Sequence, residues 1–196
     1  FYGDFKDVFC TFLFQSGSKF TGTFSSAQMN KGTYYYHNGD IYKGSFLQNK
    51  RNGEGVYFYS SGNRFSGTFG FDKKIKGTFY YLSGNVYEGE WMSGKRHGQG
   101  KFTWRSGRIY EGEWMLDKRH GQGKGTEFDG TVYEGEWKDD QPVDVGEGQN
   151  TSLMLKIIDP ITGEEIIVAA TDLEEMTLLK ADIACKELGP GWRLPT

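Results

Sequence analysis

One short pattern recurs along this chain at a nearly constant interval, and it restricts the possible folds more than any other property. Aromatic-x-Gly-x-aromatic occurs as Phe20-Thr-Gly22-Thr-Phe24, Tyr42-Lys-Gly44-Ser-Phe46 and Phe65-Ser-Gly67-Thr-Phe69. It continues as Tyr87-Glu-Gly89-Glu-Trp91, Tyr110-Glu-Gly112-Glu-Trp114 and Tyr133-Glu-Gly135-Glu-Trp137. The central glycines lie 22 or 23 residues apart, and a degenerate copy, Phe1-Tyr-Gly3-Asp-Phe5, opens the chain. Self-similarity at such a period marks an array of units, each of which buries its apolar surface only against its neighbours.

Each unit has a second half. The clearest is Gly98-Gln-Gly100-Lys-Phe102-Thr-Trp104-Arg-Ser-Gly107, with counterparts at residues 53–62, 77–84 and 32–39; the copy at 123–130 is irregular. Within both halves aromatic and polar residues alternate, which is the period of a strand. Tyr87, Gly89 and Trp91 share one face, with Glu88 and Glu90 on the other. Turn residues, such as Ser93-Gly94-Lys95 and Arg105-Ser106-Gly107, close each half. The expected unit is therefore a β-hairpin. A glycine between two inward rings is weak as a strand residue, and it leaves room for a ring from the neighbouring strand to lie across the backbone.

Composition agrees with such an array. Of the 196 residues 36% are hydrophobic, and aromatics alone make up 16%, so the core must be built from rings. That aromatic content argues against a disordered chain, and 29 glycines without a three-residue period argue against collagen. No run approaches the ~18 apolar residues of a membrane-spanning helix. A net charge of −3 does not favour a nucleic-acid or general polyanion partner. Cys10 and Cys185, near opposite ends, make neither a disulfide framework nor a zinc site.

These units resemble the MORN repeat, whose signature is close to Tyr-x-Gly-x-Trp followed by a Gly-x-Gly-x-aromatic half. Tyr87–Gly107, including Lys95-Arg-His-Gly98-Gln-Gly100, matches almost position for position, and Tyr110–Gly123 repeats the match. The first three copies depart from it, with Thr, Ser or Lys in place of Glu and Phe in place of Trp. The resemblance implies a mainly β fold over residues 1–140, an elongated single-layer antiparallel solenoid of about six to seven hairpins. Engagement of anionic phospholipid is implied for the same family.

After Trp137 the composition changes. Residues 141–150 read as a polar linker, and 151–196 as a small α+β segment. Its elements are a strand at 153–158, a turn, a strand at 165–169, and a helix at 177–188. Thr177 caps that helix, Ala181, Ala184, Cys185 and Leu188 form its stripe, and Gly189-Pro190 ends it. The closing Gly-Trp192-Arg-Leu-Pro-Thr196 resembles the start of a bacterial extension module. That resemblance implies a bacterial source and a chain that is a fragment or carries an incomplete module. The segment is expected either to cap the last repeat or to stand as a module on its linker.

Catalytic chemistry is not expected, and no cofactor or metal is called for. His97 and His120 hold equivalent positions and read, with His37, as turn residues rather than ligands. Glu111 and Glu113 recur on a solvated face, where nothing raises a carboxyl pKa for acid–base work. Gly121-Gln-Gly123-Lys-Gly125 lacks the buried strand and helix of a phosphate loop. Cys185 on an apolar helix face reads as a core thiol.

Two surfaces remain. A one-layer sheet does not cover its own ring face, so a groove for a protein segment is expected, centred on Tyr87, Trp91, Phe102, Trp104, Tyr110, Trp114, Tyr133 and Trp137. Lys50-Arg51, Lys73-Lys74, Lys95-Arg96 and Lys118-Arg119 fall at one edge, where they form either a solubilising border or a contact for anionic lipid. The expected function is a non-catalytic interaction scaffold. The alternatives are a membrane-peripheral module and an accessory region of an enzyme that continues beyond Thr196. A homodimer through the sheet ends is compatible with each. The compartment is not legible in the sequence, which suits a soluble cytoplasmic protein or a membrane-peripheral one.

Overall fold

The computed structural model describes residues 7–143, together with the strand backbones of residues 153–158 and 165–170. Of the linker expected at 141–150, Gln141–Pro142 is instead a short strand against Trp137 and Lys138. Residues 144–150 lie outside the described residues, as do the helix at 177–188, the Gly-Trp-Arg-Leu-Pro-Thr motif and the copy at Phe1–Phe5. Every described element is a strand: β1 Val8–Leu13, β2 Lys19–Ser25, β3 Gln28–Tyr35, β4 Ile41–Leu47, β5 Lys50–Phe58, β6 Arg64–Gly70, β7 Lys73–Tyr80 and β8 Val86–Met92. There follow β9 Lys95–Thr103, β10 Ile109–Met115, β11 Lys118–Thr126, β12 Thr131–Lys138, β13 Gln141–Pro142, β14 Leu153–Ile158 and β15 Glu165–Ala170. All join one open antiparallel sheet in chain order, with β13 and β14 both pairing to β12. This is the expected single layer of hairpins, with no second sheet or helix packed on it among the described residues.

Two kinds of turn alternate along the array. At one edge each hairpin closes through two residues, both with positive φ, as at Gln48-Asn49 (51° and 60°) and Leu116-Asp117 (52° and 77°). Turns of this kind match the right-handed twist of paired strands. At the other edge a longer turn ends on a glycine at positive φ, such as Gly62 at 88° or Gly107 at 95°.

The ring face is the core. The first aromatic of five motifs, Phe20, Tyr42, Phe65, Tyr87 and Tyr110, is fully buried, and that of the last, Tyr133, is half-buried. The second, Trp91 or Trp114 for example, stands edge-on to it with centroids 5.1–5.2 Å apart. Trp114 also reaches back to Tyr87 of the preceding repeat at 5.4 Å, and Trp91 to Phe65 at 5.8 Å. The rings therefore form a continuous zigzag that ties each repeat to the next.

The glycines do a different job from the one expected. Gly89 and Gly100 are register partners on adjacent strands. The ring that lies across this pair is Tyr87, from the same strand as Gly89. A Cβ on either glycine would run into the Tyr87 ring and hydroxyl. Tyr87 donates from its hydroxyl to the Glu90 carbonyl at 3.0 Å, which holds the ring flat over the glycine floor. Tyr42 and Tyr110 repeat the arrangement with Ser45 and Glu113.

The last repeat is covered at both ends of its outer strand. Leu155 and Met154 of β14 pair with Thr131 and Val132, while β13 pairs with Trp137 and Lys138. An unprotected strand edge invites pairing with another chain. Deleting residues 151–196 is therefore expected to yield dimers through β12, seen as concentration-dependent mass in sedimentation. A truncated chain that stays monomeric with an unchanged melting temperature would assign the tail an independent role.

Candidate functional site

The face that carries the rings is open on the side away from the sheet, so its residues sort by depth. Of the eight ring positions expected to centre a groove, Tyr87, Trp91, Phe102, Tyr110, Trp114 and Trp137 are buried, at 7% exposure or less. Trp104 and Tyr133 are half-buried. The six form the lower layer because each packs against rings of its own and a neighbouring repeat.

The surface layer is a row of which the expected groove included only Trp104. Phe14, Tyr36, Tyr59, Tyr81 and Trp104 are half-buried and pack on the core from above. Each sits two residues beyond another ring of its strand and leans on it, as Tyr81 does on Phe79 at 4.5 Å and Trp104 on Phe102 at 4.5 Å. Four of them also approach a ring of the next repeat: Phe14 to Tyr34 at 5.4 Å, Tyr36 to Tyr57 at 5.7 Å, Tyr59 to Phe79 at 5.6 Å and Tyr81 to Phe102 at 5.8 Å. Partial burial pushes the hydroxyls of Tyr36, Tyr59 and Tyr81 above their ordinary range, so all three are neutral donors at physiological pH. The signal for them was present in the sequence, since an aromatic recurs at the same offset in every second half up to Trp104, and only the irregular last copy has Glu127 there.

Two ladders of side-chain caps fix the spacing of these rings. At the two-residue turns, the second turn residue of one repeat caps the strand of the repeat before it. Asp72 accepts from the Arg51 amide, Asp117 from the Arg96 amide and Asp140 from the Arg119 amide, each at 2.9 Å. The same carboxylates accept from the arginine Nε at 2.9, 3.1 and 3.3 Å. Each guanidinium donates in addition to the aspartate's own carbonyl. At the opposite edge Asp40, Asn63 and Asn85 accept from the amides of Ser60, Leu82 and Arg105 at 2.8–2.9 Å. Burial alone would raise the Asp40 carboxyl. Hydrogen bonds from the Ser60 amide, the Tyr57 hydroxyl and Asn38 overcome that and hold it below its ordinary value.

This geometry divides the expected basic edge between the two faces. The hairpin turns close at Ser93-Gly94 and Leu116-Asp117, so Lys95-Arg96 and Lys118-Arg119 already belong to strands. Successive strand residues point to opposite sides. Lys50, Lys73, Lys95 and Lys118 are therefore exposed on the charged face, and Lys118 is paired with Asp139. Arg51, Arg96 and Arg119 turn onto the ring face, where Arg96 lies 4.2 Å over Trp114 and Arg119 lies 4.3 Å over Trp137. Lys74 occupies the same place in its repeat, 3.9 Å over Trp91.

The remaining expectations resolve locally. His97 and His120 are strand residues at β-bulges, each followed by a glycine with positive φ, because the turns close earlier than the sequence suggested. Among the described residues no three His, Cys, Asp or Glu side chains gather as a metal site. The glutamates of the charged face pair across strands, Lys101 with Glu111 at 3.6 Å and Lys124 with Glu134 at 3.4 Å.

Comparison with known proteins gives a family match over much of this array. The MORN repeat profile matches residues 20–41, 42–64, 87–107, 110–124 and 133–143. No curated protein matches the chain. Among similar solved structures is the SAS-4 (dCPAP) TCP domain of Drosophila melanogaster in complex with a proline-rich motif of Ana2. It is 13% identical with a TM-score of 0.41, over 83% of this chain and 90% of that one. Another is the TCP10 domain of Danio rerio CPAP in complex with a STIL peptide, 10% identical with a TM-score of 0.41. That match covers 82% of this chain and 62% of the other, less than two thirds of its length. The hairpins at residues 20–41, 42–64, 87–107, 110–124 and 133–143 thus match the MORN repeat, and the intervening residues 65–86 continue the same antiparallel pairing.

Proposed function

We propose that the hairpin array is a non-catalytic scaffold whose ring face receives an extended protein segment. The observation that carries this reading is the upper row of Phe14, Tyr36, Tyr59, Tyr81 and Trp104. It offers one half-buried ring per repeat on a face that nothing among the described residues covers. Neighbouring rings of the row are separated by about 10 Å, two strand spacings. Large rings that are held in place and partly desolvated are the usual anchors of protein interfaces. The tyrosine hydroxyls add donors at regular intervals, and the two cap ladders hold the spacing rigid, which lowers the entropy cost of binding.

The test uses peptides selected from a random library on the intact protein. Tyr81→Ala and Trp104→Ala are expected to weaken the selected peptides at least ~10-fold, about 1.4 kcal/mol each. Tyr80→Ala, one residue from Tyr81 but exposed on the opposite face, should leave affinity unchanged. Peptides that bind equally well to the ring variants, shown by circular dichroism to be folded, would remove the ring face from the reading.

A further inference from the structure

The Arg–Asp ladder departs from its pattern in two repeats. In the first, Met29 and Asn49 take the two places, and Asn49 still accepts from the Met29 amide at 2.9 Å. At Lys74 both the guanidinium and the capping side chain are gone. Where three repeats place Arg51, Arg96 and Arg119 over the rings, β7 places Lys74. Where they supply Asp72, Asp117 and Asp140 from the next turn, the chain supplies Gly94. Gly94 keeps the same left-handed backbone, φ 83° against 77° at Asp117, and a Cβ there would meet nothing within 4 Å. Space therefore does not dictate the missing carboxylate. Lys74 Nζ stands 3.9 Å from the Trp91 centroid, 4.9 Å from Phe79 and 5.6 Å from Phe65. None of the ion pairs among the described residues includes it. Lys74 is half-buried on the open ring face.

We propose that Lys74 is a nucleophilic amine and the preferred acylation site of this chain, taking the acyl group from an activated donor such as an acyl phosphate or an acyl thioester. Three rings take the ammonium out of water without returning a counter-ion; their faces attract the cation and offset part of that loss, and the net effect of burial favours the neutral amine. Burial is the main cause; Arg51 acts in the same direction and Asp117 against it, and the amine is brought down to about 8. A guanidinium in this place stays charged, so only the Lys74 copy of the position has a usable lone pair. In the step, neutral Nζ attacks the acyl carbonyl and an N–C bond forms. The bond to phosphate or thiolate breaks, the leaving group takes the electron pair, and the extra N–H proton passes to solvent. The product is an uncharged amide whose acyl group lies against Trp91 and Phe79, where the ammonium was poorly solvated.

At pH ~7.4 an amine titrating near 8 is about two hundred times more often neutral than an ordinary lysine near 10.4. Its lower basicity takes part of this back, so a net rate advantage of roughly 10-fold is expected. The intact chain is treated with acetyl phosphate at pH ~7.4, and occupancy at each lysine is followed by peptide mass spectrometry. Lys74 should acetylate about 10-fold faster than Lys50, Lys73 and Lys95, with a pH–rate profile that levels near 8. Gly94→Asp restores the carboxylate found in three other repeats. It should slow Lys74 by about 10-fold while leaving Lys73 unchanged. A Lys74 rate within twofold of the exposed lysines would overturn the proposal. So would a Gly94→Asp variant, folded by circular dichroism, in which Lys74 reacts as fast as before.

Discussion

Gly89→Val is expected to cost about 3 kcal/mol or more and to melt the repeat around it, whereas Glu88→Val, one residue away, should stay within about 0.5 kcal/mol. The two changes introduce the same side chain into the same strand on opposite faces. Glu88 is exposed, so its replacement meets solvent. At Gly89 a Cβ would sit 2.6 Å from Gly100 Cα and 2.7 Å from the Gln99 carbonyl oxygen, and it would also meet the Tyr87 hydroxyl. Backbone cannot yield as a side-chain tip can, so β8 and β9 must separate or Tyr87 must leave its seat. Tyr87 is fully buried and supports both Trp91 and Trp114, so its loss spreads to the flanking repeats. In an array held by nearest-neighbour contacts, one broken unit divides the stack. Urea unfolding of Gly89→Val should therefore show a lower midpoint and two transitions in place of one.

Much of this was legible in the sequence, because the same demand is written into the chain at every repeat. Alternation of Tyr87, Gly89 and Trp91 with Glu88 and Glu90 placed the rings on one face and the carboxylates on the other. What was not legible is whatever joins one repeat to the next. Arg51 and Asp72 are 21 residues apart, and neither belongs to the aromatic motif, yet together they carry four hydrogen bonds between adjacent hairpins. The pairs Lys50-Arg51 and Lys95-Arg96 read as blocks of like charge, but the pleat sends their members to opposite faces. Depth on the ring face was likewise hidden. Tyr87 and Tyr81 are both repeat tyrosines, and only the glycine floor under Tyr87 decides which of them is core. Comparing each repeat with the following one exposes the exception. Met, Arg, Lys, Arg, Arg at one position runs in step with Asn, Asp, Gly, Asp, Asp one turn later, and only Gly94 leaves the strand amide without a side-chain cap.

The repeats also set up a comparison between two tryptophans that differ in a single hydrogen bond. Trp114 is 3% exposed and donates from Nε1 to the Gly100 carbonyl at 3.0 Å; Trp137 does the same to Gly123 at 3.0 Å. Trp91 is 7% exposed, but its buried Nε1 has no partner. Its repeat departs from the others on the facing strand, where Lys76-Gly77 replaces the Gln-Gly pair. Replacing either Trp by Ala removes a ring that bridges two repeats and should cost about 3–5 kcal/mol. Replacing each by Phe separates the polar from the apolar contribution. Trp114→Phe leaves the Gly100 carbonyl without its donor as well as shrinking the ring. Trp91→Phe shrinks the ring equally but removes a buried N–H that was already unpaired. Trp114→Phe should therefore be the costlier of the two by about 1–2 kcal/mol in urea unfolding. Equal costs would mean that the indole hydrogen bond adds nothing to the stacking. In that case the zigzag of rings alone, Tyr87 to Trp114 to Tyr110, holds the repeats in register.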